Sequence, residues 1–377
     1  MTTVRAFRTV ALAAAIAVSG AGLTACEPAP SLQVATIVSG LDIPWDLTFA
    51  PDGRMFFTER SGGISVRHPG GGTVRTLEAD LSDLWASGET GLMGIQVDPA
   101  FNQNRRIYTC QGHEEGGAHD VRVVPWVLST GGRLLTRQPA IVTGIPATSG
   151  RHGGCRLRFG TDHTLWIGTG DAATGTNPQD LTSLGGKILR VDRFTGAGVD
   201  ANPYSWSANA NKRRILSYGH RNVQGIARRP ADRKMWTVEH GTGRDDEINR
   251  GVRGNFGWDP VPGYDESTPM TDTTKFPNAV RAAWSSGNPT VATSGAAWLS
   301  GSQWGTWDDH LGVAALKDES LRIFAPSSDG TRLTVVATPL DGQYGRLRTA
   351  QLGRDGALYL TTSNGGGQDR ILKVTPV

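Results

Sequence analysis

The chain has 377 residues, with 38 Lys and Arg against 35 Asp and Glu, a net charge of +3. Two of those charges, Arg5 and Arg8, lie in the first 25 residues with no acid beside them, so the rest of the chain is close to neutral and nothing in its charge points to nucleic acid. Fifty glycines, 38% apolar residues and 11 tryptophans fit a large, turn-rich β core and exclude a coiled coil, collagen and global disorder.

Residues 1–25 read as a secretion signal: a basic start is followed by an apolar stretch, Val10 to Val18, too short to span a bilayer and ending in small residues. The string Leu23-Thr24-Ala25-Cys26 resembles the lipobox of bacterial lipoproteins. That resemblance implies that Cys26 is lipidated and becomes the mature amino terminus, which would hold the protein on the outer face of the cytoplasmic membrane. Two acyl chains give the stable attachment that one does not. An ordinary signal peptide with an incidental Cys is the alternative. Residues 26–33, with two prolines, are expected to be a tether, and 34–377 a single domain. That domain lacks any run of 18 apolar residues, so no helix in it is expected to cross a membrane.

Short β-rich strings recur along it: Met55-Phe56-Phe57-Thr58, Arg106-Ile107-Tyr108-Thr109, Leu165-Trp166-Ile167-Gly168, Met235-Trp236-Thr237-Val238, His310-Leu311-Gly312-Val313 and Leu358-Tyr359-Leu360-Thr361. Several follow a second short strand and a hairpin signal, as Leu47-Thr48-Phe49 precedes Pro51-Asp52-Gly53 and Ala350-Gln351-Leu352 precedes Arg354-Asp355-Gly356, and strand, Asp-Gly turn, strand is how antiparallel hairpins are specified. Six such units without a strongly periodic helix predict an all-β, six-bladed β-propeller with four-stranded antiparallel blades. A pair of β-sandwiches or a seventh blade are the competing architectures. Val34 to Val38 and Ile371 to Thr375 are both strand-like and could complete one blade, which would remove an exposed edge.

With Cys26 set aside, Cys110 and Cys155 form an even pair in an oxidising compartment, and a disulfide is expected. Two buried thiols are the alternative.

Four loop segments carry candidate chemistry. His152 sits among small residues in Arg151-His152-Gly153-Gly154-Cys155-Arg156, where backbone can approach a ligand closely, although a His in such a loop is often only a turn residue. Tyr218 to Gly225 crowds donors before a strand. Glu239 to Glu247 mixes acids with glycines, as either a solvated loop or an oxygen-ligand cation site. Arg346 and Arg348 flank Leu347 on a predicted strand, so an anion between them would relieve their repulsion.

Together and in order, these segments resemble the soluble PQQ-dependent glucose/sorbosone (aldose sugar) dehydrogenase family. The resemblance runs from about Gly40 to Val377. It rests on Gly219-His220-Arg221-Asn222 with Gln224-Gly225, on Glu239-His240-Gly241 followed by Asp246-Glu247-Ile248-Asn249, on Asn255-Phe256-Gly257-Trp258 and on Ala315-Leu316-Lys317-Asp318. Pro44-Trp45-Asp46-Leu47 and Gly91-Leu92-Met93-Gly94 are also correctly placed. What it implies is a propeller holding pyrroloquinoline quinone (PQQ) and calcium and oxidising an aldose at C1 to the lactone. His152 then falls on the catalytic base, Asp171 on the carboxylate that orients it, and Arg221 on the cation facing the quinone oxygen. Glu89, Asn222, Thr290, Lys317, Arg346 and Arg348 match positions that hold PQQ, and Gly241 and Thr242 match carbonyls that bind calcium.

The sequence departs from the family at several of these positions. Glu89 stands for a Gln, Thr242 for a Pro, Asn288 for an aromatic that packs on the cofactor, Thr349 for an Asp, and Cys155 for a Gly. The alternatives are a propeller lipoprotein acting as a ligand-binding or scaffold module and a calcium-dependent, lactonase-like hydrolase. The expected partners are a sugar substrate, a membrane reached only through lipid, and an electron acceptor that no motif identifies.

Overall fold

The computed structural model describes residues 1–2 and 28–377. Cys26 and the expected signal segment lie outside the described residues.

Six antiparallel sheets follow one another along the chain. Blade 1 comprises Pro44–Phe49, Met55–Glu59, Ile64–Arg67 and Val74–Thr76. Blade 2 begins with Leu92–Val97, Arg106–Glu115 and Ala118–Leu128, and blade 3 consists of Gly154–Phe159, Leu165–Thr169, Lys187–Val191 and Ile215–Tyr218. Blade 4 starts at Val223–Arg228 and Met235–Glu239, blade 5 at Thr293–Trp298 and Leu311–Ala315, and blade 6 at Leu347–Leu352 and Leu358–Thr362. Each of the six repeated strings falls on the second strand of a blade. The chain is therefore a six-bladed β-propeller of four-stranded antiparallel blades. Two blades extend this pattern at their outer edge, where Leu134–Arg137 pairs in parallel with Glu78–Ala79 and Ile215–Tyr218 with Gly254–Asn255.

The first hairpin shows how local sequence sets the register. Gly53 takes φ +84°, a conformation open to glycine, and its N–H bonds back to the Ala50 carbonyl, so Phe49 and Met55 end up opposite each other. Ring closure comes from the termini: Leu32–Leu41 pairs antiparallel with Asp369–Pro376 as the outer strand of blade 6, starting two residues before Val34. The first strand of each blade packs against that of the next, and Leu347–Leu352 returns to Pro44–Phe49.

Hydrophobic burial is divided among the gaps between neighbouring blades. Phe56, Ile95, Ile107 and Trp126 fill the gap between blades 1 and 2, and Tyr108, Leu157, Ile167 and Leu189 that between blades 2 and 3. Leu347, Leu360, Leu321 and Ile323 do the same between blades 5 and 6. Strands covered on both faces read as continuous apolar runs, which is why Leu165–Thr169 is buried throughout. Cys110 of blade 2 and Cys155 of blade 3 form a disulfide with Cα atoms 5.5 Å apart, tying these two blades together.

Candidate active site

In an antiparallel hairpin the start of the first strand and the end of the second lie at the same end. Every candidate residue sits at one of these two places. Glu89, His152, Arg221, Asn222, Thr290 and Arg346 precede the first strands of blades 2 to 6, and Arg348 is the second residue of its strand. Asp171, Gly241, Thr242 and Lys317 follow the second strands of blades 3, 4 and 5. The topology thus brings them all to one rim of the channel.

His152 and Asp171 are in direct contact. His152 is 3% exposed and has φ +53°, and the carbonyl of this strained residue packs on Gly170, where a Cβ would come within 1.7 Å of it. The imidazole Nδ1–H donates to Asp171 Oδ1 at 2.8 Å. Asp171, fully buried, also accepts from the Trp258 indole N–H at 2.8 Å, the Tyr264 hydroxyl at 2.7 Å and the Ala173 N–H at 2.8 Å. Tyr264 Oη lies 3.0 Å from His152 Nδ1 as well. With Nδ1 committed, the lone pair of the neutral ring is on Nε2, which has no hydrogen-bond partner among the described residues. Neither Trp258 nor Tyr264 was singled out for a role by sequence; Trp258 entered only as the end of the Asn255-Phe256-Gly257-Trp258 motif. Burial and the Asp171 charge push the Tyr264 hydroxyl well above the usual phenol range, so it remains a donor.

Arg221 is held through its backbone. Its N–H donates to Glu239 Oε2 at 2.9 Å, and the other oxygen of Glu239 accepts from His220 Nδ1 at 2.8 Å, with His220 Nε2 on Ser217 Oγ at 2.9 Å. The Arg221 carbonyl accepts from the Asp171 N–H at 2.8 Å, so Asp171 and Arg221 share a backbone link. At the side chain, Glu266 Oε1 lies 2.7 Å from a terminal nitrogen, while the buried Nε has no partner. The same carboxylate reaches Arg151 at 3.3 Å.

Beside these groups lie the exposed Glu89 and the buried Arg348. Glu89 Oε2 accepts from the His152 N–H and from Asn222 Nδ2, both at 3.1 Å. Burial works to raise its carboxyl, but His240, His152 and these hydrogen bonds outweigh burial and hold it below the usual range. Arg348 is 9% exposed and has no carboxylate within ion-pair distance among the described residues; its hydrogen bonds go to Ser363 Oγ and Gln224 Oε1. Burial first, and then the charge of Arg156, lower it to about 9. The buried His240 Nε2 also lacks a partner, and burial lowers that imidazole despite the nearby Asp246 and Glu89. His240 thus belongs to the site, although by sequence it was only part of a motif.

Thr349 stands at one of the positions where the sequence departs from the family. Its hydroxyl accepts from Arg156 at 3.0 Å and donates to the Trp45 carbonyl at 2.8 Å, while Asp46, at 2.5 Å from the same guanidinium, supplies the carboxylate. Of the remaining candidates, Lys317 and Arg346 are exposed on the rim and Thr290 is buried. Asn288 is exposed.

Gly241 is fixed by its N–H to Asp246 Oδ1 at 2.9 Å, and the second Asp246 oxygen accepts from the Val291 and Ala292 N–H groups. The carbonyls of Gly241 and Thr242 accept no hydrogen bond among the described residues, which leaves them available to a hard cation. No group of three or more His, Cys, Asp or Glu side chains that could hold a metal is present among the described residues.

The profile of the Glucose / Sorbosone dehydrogenase family matches residues 41–373. The chain belongs to that family. It is 32% identical to the aldose sugar dehydrogenase of Escherichia coli, over 92% of this chain and 93% of that one. The apo crystal structure of the soluble aldose sugar dehydrogenase from Escherichia coli superposes with a TM-score of 0.82, at 28% identity, over 92% of this chain and all of that one. The PQQ-bound aldose sugar dehydrogenase of Streptomyces coelicolor superposes with a TM-score of 0.76, at 29% identity, over 93% of this chain and 99% of that one. PQQ is therefore a cofactor found within the family.

Proposed function

We propose that this protein is a PQQ- and calcium-dependent dehydrogenase that oxidises an aldose at C1 to its lactone, anchored by lipid on Cys26 to the outer face of the cytoplasmic membrane. The observation that carries the reading is the state of His152: Nδ1 is bound to a buried carboxylate and Nε2 is the atom left free. A base so held can take a hydroxyl proton without reorienting.

The residues present fit a tricarboxylate cofactor. Arg348 is a buried cation without a carboxylate, Arg346 and Lys317 add positive charge on the same rim, and Arg221 and His240 each bury an unpartnered N atom. These groups and Asn222 would hold PQQ, and the Gly241 and Thr242 carbonyls would take the calcium ion. When bound, the quinone supplies the acceptor for the hydride leaving C1. On the protein side, His152 Nε2 accepts the C1 hydroxyl proton, and Asp171, oriented by Trp258 and Tyr264, stabilises the imidazolium that results. Arg221 places positive charge where negative charge develops. Glu89 works against a trianion, and its negative charge is offset by the N–H donors and His240 around it.

Titration of purified protein with PQQ and calcium, followed by the quinone spectrum and by aldose-dependent reduction of an artificial acceptor, tests the reading. Saturable PQQ binding with aldose turnover is expected. Failure to bind PQQ would leave the propeller a ligand-binding module, and lactone hydrolysis with calcium alone would make it a hydrolase.

A further inference from the structure

The other end of the channel carries its own charged constellation, away from every residue assigned to the dehydrogenase site. The first strands of the blades finish there, and the residues at or just beyond their ends line a cleft of about 440 Å³. Blades 2 to 6 all contribute to its wall. Three arginines line it: Arg158 near the end of Gly154–Phe159, Arg228 at the end of Val223–Arg228, and Arg354 two residues beyond Leu347–Leu352. No Asp or Glu is among the lining residues. The acids nearest in sequence are engaged elsewhere: Asp98 with Arg193 and Tyr108, Asp232 with Arg229 and Lys234, and Asp355 with Lys373. Arg228 and Arg354 therefore have no carboxylate partner among the described residues.

Arg158 makes this more than a ring of exposed side chains. Its side chain is only 10% exposed, and its partner Asp46, fully buried, is shared with Arg156. One carboxylate serves two guanidiniums, which leaves an excess positive charge buried on the channel wall. Arg348 lies further along toward the active-site rim, with Trp45 near both it and Arg156, at 5.5 and 4.3 Å from the ring centroid. The channel thus holds a file of guanidiniums in a low-dielectric wall, where positive potential is focused toward the open mouth. Trp298, whose buried indole N–H finds no acceptor, lines the same cleft. Arg228 and Arg354, from separate blades and without a carboxylate partner among the described residues, line one cleft with Arg158, which shares its carboxylate, and such planar guanidiniums match an oxyanion that can accept from more than one of them.

We propose that this far mouth is a second binding site, for a small oxyanion of the phosphate or carboxylate class, independent of the dehydrogenase site. The test is calorimetric titration of the purified full-length protein at low ionic strength, with inorganic phosphate and, separately, with acetate. One saturable site is expected. Tighter binding of phosphate would identify a tetrahedral dianion as the natural chemistry, and tighter binding of acetate a carboxylate. Arg228→Gln with Arg354→Gln should weaken the preferred anion at least tenfold, whereas Lys317→Gln with Arg346→Gln on the opposite rim should leave it unchanged. Absence of saturable binding, or equal binding by the Arg228→Gln/Arg354→Gln protein, overturns the proposal. Loss on altering Lys317 and Arg346 instead would place the anion in the cofactor site and overturn it equally. None of these readouts depends on PQQ or on turnover.

Discussion

The carboxylate of Glu266 lies 2.7 Å from the guanidinium of Arg221. Glu266 is exposed and belongs to the segment that also brings Tyr264 to His152, so an acid closes on the cation proposed to face the quinone. An anionic cofactor has to compete with it. Glu266→Gln should therefore tighten PQQ binding. Because the pair is partly open to solvent, the gain is expected to be about 1.4- to 5-fold, in line with exposed ion pairs of roughly 0.2–1 kcal/mol. A spectroscopic PQQ titration checks it, and the difference should shrink as salt is added.

His152→Ala should abolish aldose-dependent acceptor reduction while leaving the PQQ isotherm within about threefold of the parent, because loss of a proton acceptor is felt in the transition state. Asp171→Asn should lower kcat by about 10²- to 10⁴-fold, on the scale of general-base catalysis. Tyr264→Phe retains the ring but removes one donor to Asp171. Its effect should be a smaller fall in kcat, about 3- to 10-fold, with KM nearly constant and an altered pH–rate profile.

Cys26→Ser should move the protein from the membrane fraction to the soluble fraction of cells. Unchanged partitioning would exclude lipid on Cys26 as the anchor.

Replacing Cys110 and Cys155 by Ser should cost about 2–4 kcal/mol of stability, since the bridge closes a loop with a sequence separation of 45 residues. Chemical denaturation of the double variant, compared with the oxidised and reduced parent, measures it. The loss should also loosen the loop bearing His152, three residues before Cys155, and so lower kcat.

Glu247 carries a pH dependence of stability. Burial, and then the charge of Glu239, push its carboxyl up to about 8. Asn249 Nδ2 lies between the two acids, at 2.8 Å from Glu239 and 3.3 Å from Glu247. Between the ordinary carboxyl range and about pH 8 the folded protein keeps this proton and the unfolded chain releases it, so stability falls as pH rises through that window. Glu247→Gln cannot ionise. It should flatten this slope and be more stable than the parent by at least about 1 kcal/mol at pH 9, one pKa unit being about 1.4 kcal/mol. Denaturation midpoints from pH 5 to 9 give the comparison.

The architecture was legible because a propeller writes the same local instruction six times. Two strands and their connection are encoded within a short stretch, as from Pro44 to Glu59 with its Asp52-Gly53 turn, and the strand-like Val34 to Val38 and Ile371 to Thr375 could be matched as two unpaired edges, which the structure pairs as Leu32–Leu41 and Asp369–Pro376. Once hairpin polarity is known, His152, Asp171, Arg221 and Arg348 are forced to one rim, because each sits at the start of a first strand or the end of a second. Tyr264, Glu266 and Trp258 were not legible in the same way. They lie on or beside the stretch between Asn255 and Trp284, where no strand is formed and periodicity carries no information. Trp258 meets Asp171 across 87 residues and Tyr264 across 93. The sharing of Asp46 by Arg156 and Arg158 was hidden for a related reason: two arginines two apart on a strand carry no sign of the blade 1 carboxylate that reaches both.

Pairing of the two chain ends has a consequence for biogenesis. Gln33 and Thr375, which bond in the last blade, are 342 residues apart. During synthesis the outer strand of blade 6 is made first and its neighbour last, so five blades can stack while the ring stays open. A growing chain cannot shut the propeller until Asp369–Pro376 has been made, and until then Leu32–Leu41 lacks its partner in blade 6. Closure of the ring, the contact of greatest sequence separation, is the step that should set the rate of maturation, and a chaperone that covers this first strand would act where the hazard is greatest.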